Sequence, residues 1–425
     1  MNDRCVSSPR GRGEGRSPLA AAEASSKGEG QGAHPGSLHP EPPPHPRSLR
    51  SLAPAAGPQP EPSPRTRGEG RSTPTRRAAL ALAATALAAP AVAQGAPIRW
   101  RMVTSWPKGR VGPGVSAARV ADRINAMAAG RLRVDLFAAG EIVPPLAVLD
   151  AVGNGTVEMG HTAALYWQGK MPAASFFTTV PFGLGPVEHG AWIELMGGQA
   201  LWEELYRPHG VQPFLAGNTG PSMGGWFRRR LEGLDDLKGL RIRVTGLGAE
   251  VYARLGAVPT TIPAGDLLPA LERGSIDAAE FLAPATDLET GLQRHAPFYY
   301  APGFAKPNGA SEALIGLPAW SALPDDLRAV VAEACRAEHG LGLADAHRRN
   351  ATALTDILGR GGVTLEAFPR PILEAARRVS GELVAEIAAS SPLARRIVES
   401  YAAAQAETRA WSALSADMAR ALARG

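Results

Sequence analysis

Cysteine is almost absent: the 425 residues hold two, Cys5 and Cys335. If the N-terminal stretch is removed, Cys335 stands alone, so no internal disulfide and no cysteine-based metal site can form. Cys335 lies in the amphipathic run Leu327-Arg-Ala-Val-Val-Ala-Glu-Ala-Cys335 and reads as a buried core thiol. Aromatic residues are also scarce, 6% against 44% apolar residues overall, and the apolar surplus is alanine. The nine histidines are scattered, with no His-Glu-x-x-His and no clustered ligand spacing. Gly246-x-Gly248 lacks the third glycine of a dinucleotide loop. No run reaches the roughly 18 apolar residues of a membrane span. Positive charge is missing where it would matter. Residues 1–93 hold 12 of the 45 Lys and Arg and 7 of the 40 Asp and Glu, leaving 33 of each. A neutral body with few basic clusters, Arg228-Arg229-Arg230 reading as a solvated strand face, argues against a nucleic-acid footprint.

What is present begins with a segment that cannot fold. Residues 1–70 are rich in Pro, Gly, Ser and Arg and repeat themselves, Gly13-Glu-Gly-Arg-Ser17 returning as Gly68-Glu-Gly-Arg-Ser72. They read either as a disordered extension or as a stretch upstream of the natural start. Residues 71–93 read as an export signal. Arg76-Arg77 precede an apolar run from Ala78 to Ala89, which ends in Ala91-Val-Ala93. The arginine pair resembles the twin-arginine route. The mature chain should start near Gln94, outside the cytoplasm.

Strand and helix patterns then alternate. Ile98 to Val103 has period two, Pro113 to Met127 a helical pattern closed by Gly130, and Arg131 to Phe137 period two again. This rhythm predicts an α/β layer fold. An internal echo adds a second lobe. Leu149-Asp-Ala-Val-Gly-Asn-Gly155-Thr-Val-Glu-Met-Gly-His161 aligns without gaps on Leu268-Pro-Ala-Leu-Glu-Arg-Gly274-Ser-Ile-Asp-Ala-Ala-Glu280. Each copy is a helix stopped by glycine and followed by a strand. His161 and Glu280 take matching strand ends, where open α/β sheets bind ligands, and both are expected to face a shared cleft. Residues 94–220 with 310–355 are assigned to one lobe, and 221–309 with 356–425 to the other. From Leu323 the chain turns helical: Asp325 to Arg348, Ala351 to Arg360, Pro369 to Ala389 and Pro392 to Arg424, with a short strand at Val363–Glu366. The last helices could cover a lobe or pair two chains into a homodimer.

Arg243 is the first candidate for chemistry. Leu240, Ile242 and Val244 alternate, so Arg243 points to the other face near the carboxyl end of a short strand. A helix from about Ala249 follows the turn Thr245-Gly-Leu-Gly248. A guanidinium beside a helix start suits a carboxylate, which it grips with two parallel hydrogen bonds. Gly220-Pro-Ser222-Met-Gly224 fits the nucleophile elbow of a serine hydrolase. That elbow must open a helix, and Gly225-Trp-Phe-Arg-Arg-Arg reads extended.

These residues carry a resemblance. From Ile98 to about Trp411 the chain resembles the DctP-type solute receptors of TRAP transporters. The motifs are Thr104-Ser-Trp-Pro107, Gly224-Gly-Trp-Phe-Arg228, Leu237-Lys-Gly-Leu-Arg-Ile-Arg-Val244, Leu255-Gly-Ala-Val-Pro-Thr260 and Pro269 to Glu280. Gly160-His-Thr162, Val180-Pro-Phe-Gly-Leu184 and Ala216-Gly-Asn-Thr-Gly220 look most like the branch that binds 2-oxo acids such as pyruvate. The resemblance implies a two-lobed periplasmic binding protein fold, with a ligand cleft between the lobes and extra C-terminal helices. It implies a non-enzymatic receptor in the periplasm that hands a small organic acid to membrane subunits. A sensory protein of the same fold is the alternative. It implies that Arg243 binds the carboxylate, and we place Tyr166, Ser222, Trp226 and Phe281 beside it as substrate contacts. In that branch the acid at the position of Glu280 helps hold a metal cation bridging to the substrate. Glu280, Phe281 and Ser222 would here hold Na⁺ or Ca²⁺. Gln is usual at the position of Ser222 and Trp at that of Phe281, so this chain departs at both.

Overall fold

The computed structural model describes residues 96–423, so the expectations for residues 1–93 lie outside the described residues. The chain opens with strand β1 (Ile98–Thr104), whose Trp100 and Met102 point inward while Arg99 and Arg101 pair outside with Asp135 and Glu158. Helix α1 (Pro113–Met127) has proline in its first turn, where no amide hydrogen is missed. It buries Ala117, Val120, Ala121 and Ile124, one face at helical spacing. Then follow β2 (Leu132–Phe137), α2 (Val148–Gly153), β3 (Met159–Thr162), α3 (Pro186–Leu195), α4 (Gly198–Tyr206) and β4 (Val211–Asn218).

After β4 the chain crosses to a second sheet. It runs through β5 (Gly225–Phe227), β6 (Arg241–Arg243), α5 (Leu247–Arg254), β7 (Val258–Thr260), α6 (Leu267–Glu272), β8 (Ala278–Ala279), α7 (Pro284–Thr290) and β9 (Phe298–Ala301). It returns for β10 (Ala310–Gly316), α8 (Leu317–Ala322) and the long α9 (Asp325–Gly359), and adds β11 (Thr364–Ala367) to the second sheet. The two sheets have strand orders β2-β1-β3-β10-β4 and β11-β9-β5-β8-β6-β7. Both are mixed: β10 runs against β3 and β4, and β5 against β8 and β9, amid parallel pairs. This is the two-lobed α/β architecture the sequence implied. The internal echo is real at backbone level. Gly155 and Gly274 both take positive φ, 77° and 69°, and stop α2 and α6 before β3 and β8.

Two helical assignments change. The segments Asp325–Arg348 and Ala351–Arg360 form one continuous helix of 35 residues, α9, which lies on β4 and α1 at one end and on α7 at the other. Asn350, at the junction, is a residue that favours caps and turns over helix interiors. Here its amide side chain is occupied elsewhere: Oδ1 accepts the Ala285 amide at the start of α7, and Nδ2 donates to the Thr219 carbonyl of the first crossing segment. The last two helices, α10 (Arg370–Ser390) and α11 (Pro392–Ala423), part company. Helix α10 packs its Ile372, Ala376 and Val379 into the second lobe's core. Helix α11, assigned by sequence to that lobe, buries Ile397, Tyr401 and Ala404 against Phe176, Trp192 and Trp202 of the first. The Tyr401 hydroxyl accepts the Leu184 amide at 2.7 Å, and the Trp192 indole donates to Ser400.

Candidate functional site

Strand β6 is three residues long and carries the expected alternation: Arg241 is exposed, Ile242 buried, Arg243 buried. Its parallel neighbour β8 aligns Arg243 with Ala279, and the Glu280 amide bonds the Arg243 carbonyl at 2.8 Å. Arg243 and Glu280 thus stand together beyond adjacent carboxyl ends, the position ligands use in such sheets. Gly246, at φ 66°, turns the chain directly into α5.

Two segments cross between the lobes beside them, residues 219–224 outward and 302–309 back. They are laced together by the Thr219 amide to the Gly309 carbonyl, the Ser222 amide to the Lys306 carbonyl and the Gly303 amide to the Ser222 carbonyl. Asn218 and Asn308 bond side chain to side chain at 2.9 Å. Between the crossings and the two sheets lies a narrow cavity of about 30 Å³. Trp106, Tyr166 and Thr178 line it from the first lobe, Arg243 and Phe281 from the second, and Lys306 from the return crossing.

Arg243 is 1% exposed. Its Nε donates to the Ile262 carbonyl at 3.1 Å and its Nη1 to the Glu280 carbonyl at 2.8 Å. A guanidinium has five N–H groups, so two are spent on holding the fork and donors remain for an anion. The Phe281 ring lies 5.5 Å from its carbon. Burial pulls the guanidinium below its ordinary pKa, and Tyr166 and Glu280 oppose that. Burial likewise raises the Tyr166 phenol, with Arg243 opposing. The buried Thr178 hydroxyl on the cavity wall has no hydrogen-bond partner.

Of the sequence-assigned contacts, Arg243, Tyr166 and Phe281 come together here. Three others do not line the cavity. Trp226 is in the core: it stacks on Tyr299 with centroids 3.8 Å apart and donates to Asp287 at 3.1 Å. Ser222 lies on the outward crossing, buried, its hydroxyl unpartnered. Glu280 is buried behind the wall, its pKa raised by desolvation against the pull of Lys306 and Arg243. His161 also differs from expectation. Its Nδ1 accepts from the Trp106 indole at 2.8 Å, so its Nε2 carries the proton and donates to the Ala216 carbonyl. Burial lowers its pKa to about 4, so it stays neutral and positions Trp106 instead of facing the cleft itself.

Lys306 is the residue sequence reasoning passed over. Its ammonium donates to the Phe281 carbonyl at 2.5 Å and lies 3.4 Å from Glu280 Oε2. The signal was a single cation in the turn-rich run Pro302-Gly-Phe-Ala-Lys306-Pro-Asn-Gly309. Glu280 and the Phe281 carbonyl are two of the groups named above as ligands of a metal cation, and the ammonium is already on both. Two unit charges about 4 Å apart at an effective dielectric of about 20 repel by about 4 kcal/mol. A metal ion on the same donors therefore does not fit beside this ammonium. Among the described residues, no group of three or more His, Cys, Asp or Glu side chains could hold a metal.

A larger hollow, about 640 Å³, is an open groove between α10 and α11. It is the roomier of the two, but no pair of buried cations converges there as Arg243 and Lys306 do in the cleft.

The model of the bacterial extracellular solute-binding proteins, family 7 (DctP), matches residues 112–391. The chain belongs to the DctP family. It is 40% identical over 323 residues to the monocarboxylate 2-oxoacid-binding periplasmic protein of Nostoc sp. strain PCC 7120, spanning 76% of this chain and 88% of that protein. A TRAP transporter solute-binding protein from Bordetella bronchiseptica RB50, a dimer with copurified calcium and picolinate, superposes with a TM-score of 0.75 at 35% identity, covering 78% of this chain and 99% of that one. A TRAP periplasmic solute-binding protein from Pseudoalteromonas atlantica T6c, with bound sodium and pyruvate, gives 0.74 at 35% identity, covering 76% and 98%. As a DctP-family receptor the protein is not an enzyme. Ser222 agrees: the chain after it enters β5, so no helix opens behind the hydroxyl as a nucleophile elbow requires.

Proposed function

We propose that this DctP-family protein is the periplasmic receptor of a TRAP transporter for a short 2-oxo or 2-hydroxy monocarboxylate, and that Arg243 receives the carboxylate. The observation that carries this reading is the buried guanidinium, locked by two backbone carbonyls on the wall of the cleft cavity with donors left over. The small cavity favours a short acid, and picolinate and pyruvate, bound in the two related structures, are monocarboxylates. The lobes, residues 94–220 with 310–355 and 221–309 with 356–391, would close by bending at the two crossings together with α9, which rests on both lobes. Calorimetric titration with pyruvate, lactate and succinate tests it. Saturable one-to-one binding of a monocarboxylate, tighter than that of succinate, is expected; no binding of any of the three contradicts it.

Export would follow the twin-arginine route, with a mature terminus near Gln94, which terminal sequencing of the exported protein reads. The receptor's partners are the transporter's membrane subunits and, we propose, a second copy of itself. On the outer end of α11, Trp411, Leu414, Met418 and Leu422 are 50–83% exposed and fall on one helical face. Such a stripe is unusual on a monomer. Sedimentation should find a dimer, and Trp411→Glu with Leu414→Glu should shift it to monomer. A monomeric parent protein contradicts this.

A further inference from the structure

We infer that the Lys306 ammonium is this receptor's built-in cation, standing where a metal ion would otherwise bridge Glu280 and the Phe281 carbonyl to the acid, so that binding needs no metal. The inference rests on the function proposed above and names the group that completes the same site.

Three observations support it. First, the ammonium is bonded to the Phe281 carbonyl and ion-paired to Glu280, the carboxylate and the backbone oxygen a bridging cation would use. Second, Lys306 is built in. It is 2% exposed, its amide bonds the Gly303 carbonyl, and its carbonyl takes the Ser222 amide of the other crossing. Third, it lines the same cavity as Phe281 and Arg243. An ammonium has three N–H groups; the Phe281 carbonyl takes one and the Glu280 carboxylate is ion-paired at 3.4 Å, which leaves at least one free. That one can donate to an oxygen of the acid, as a metal would accept one. The charges also balance. Arg243 and Lys306 stand against Glu280 and Asp287, and Asp287 is already satisfied by Trp226, Tyr299 and the Leu282 amide. A sodium or calcium ion on these donors would add its charge directly beside the two cations already in place. Burial pushes the Lys306 pKa down, and Glu280 holds it up.

The counter-observation is that both Glu280 carboxylate oxygens and the Ser222 hydroxyl lack a hydrogen-bond donor, and the test is built to read them. Pyruvate is titrated into the parent protein in sodium-free buffer with chelator, and again with sodium or calcium. The two affinities should agree within about threefold. Lys306→Gln should bind pyruvate at least about tenfold more weakly in chelator, and Lys306→Arg should stay metal-independent. A second arm uses calcium alone, read by thermal unfolding and sensitised terbium luminescence. The parent should not respond. Lys306→Gln should respond, and the response should vanish when Glu280→Gln is added. The inference is overturned if the parent loses more than about tenfold affinity on cation removal, or if it binds calcium alone in a way that Glu280→Gln abolishes. A folded Lys306→Gln protein that binds pyruvate like the parent in chelator also overturns it. If the calcium arm comes out as expected but no acid binds the parent, the proposed function fails while the cation assignment stands. If Lys306→Gln does not fold, the two parent measurements decide.

Discussion

Arg243→Ala should bind pyruvate about 30- to several-thousand-fold more weakly than the parent protein, the equivalent of about 2–5 kcal/mol for breaking a buried, hydrogen-bonded charge pair. The size of the effect follows from burial. At 1% exposure the guanidinium has little water to fall back on, and a carboxylate closed into the cleft would be left without a partner. Arg243→Lys should also bind poorly. Lysine keeps the charge but loses the planar fork, and with it the carbonyls of Ile262 and Glu280 that hold the fork in place. Arg241→Ala is the control. Arg241 sits two residues away on the same strand face, but it is exposed and spends its guanidinium on Asp277 at 2.6 and 2.8 Å. A surface pair of this kind is worth little, so that variant should bind within about threefold of the parent. Calorimetry on all three, with folding checked by circular dichroism, reads the result. An Arg243→Ala protein within about threefold of the parent removes the site.

Trp226→Ala should destabilise the fold by about 3–5 kcal/mol while leaving pyruvate affinity of the folded protein within about threefold. The indole is fully buried, stacked on Tyr299, and one of the donors that satisfy the buried Asp287 carboxylate. Its removal leaves a cavity and takes a hydrogen bond from a group whose pKa burial already raises. Trp226→Phe keeps an aromatic ring beside Tyr299 but loses the N–H and part of the indole volume, so it should cost less than alanine yet at least the about 1.5–3 kcal/mol of a hydrogen bond to a charged group. Chemical unfolding followed by circular dichroism measures both. If instead stability is unchanged and pyruvate binding falls by more than about tenfold, Trp226 is a ligand contact, as the sequence motif suggested.

These two residues mark where sequence could and could not be read. Arg243 was legible because β6 has one buried and one polar face, so its alternation assigns the arginine to a side, and Gly246 fixes the strand's end. Gly155 and Gly274 were legible because only glycine takes their backbone angles without strain. Trp226 was not. All three residues of β5 are buried, so period two carries no signal there, and nothing in the sequence says which side of β5 faces the cleft. His161 failed for a related reason. Its place at a strand end was right, but the Trp106 indole and the Ala216 carbonyl that claim its two nitrogens come from distant segments. Lys306 offered only the weak signal of a lone cation in a turn-rich run, because its role depends on two crossing segments meeting, with Ser222 and Lys306 paired across 84 residues. The continuity of α9 was hidden likewise, since the bonds that occupy Asn350 reach Thr219 and Ala285.

The most direct measurement is a crystal structure of the protein with pyruvate. The account predicts one molecule in the cleft, its carboxylate within hydrogen-bond distance of the Arg243 guanidinium and a remaining oxygen facing the Lys306 ammonium, between Tyr166 and Phe281. Pyruvate in the groove between α10 and α11, or in the cleft with its carboxylate turned away from Arg243, would contradict it.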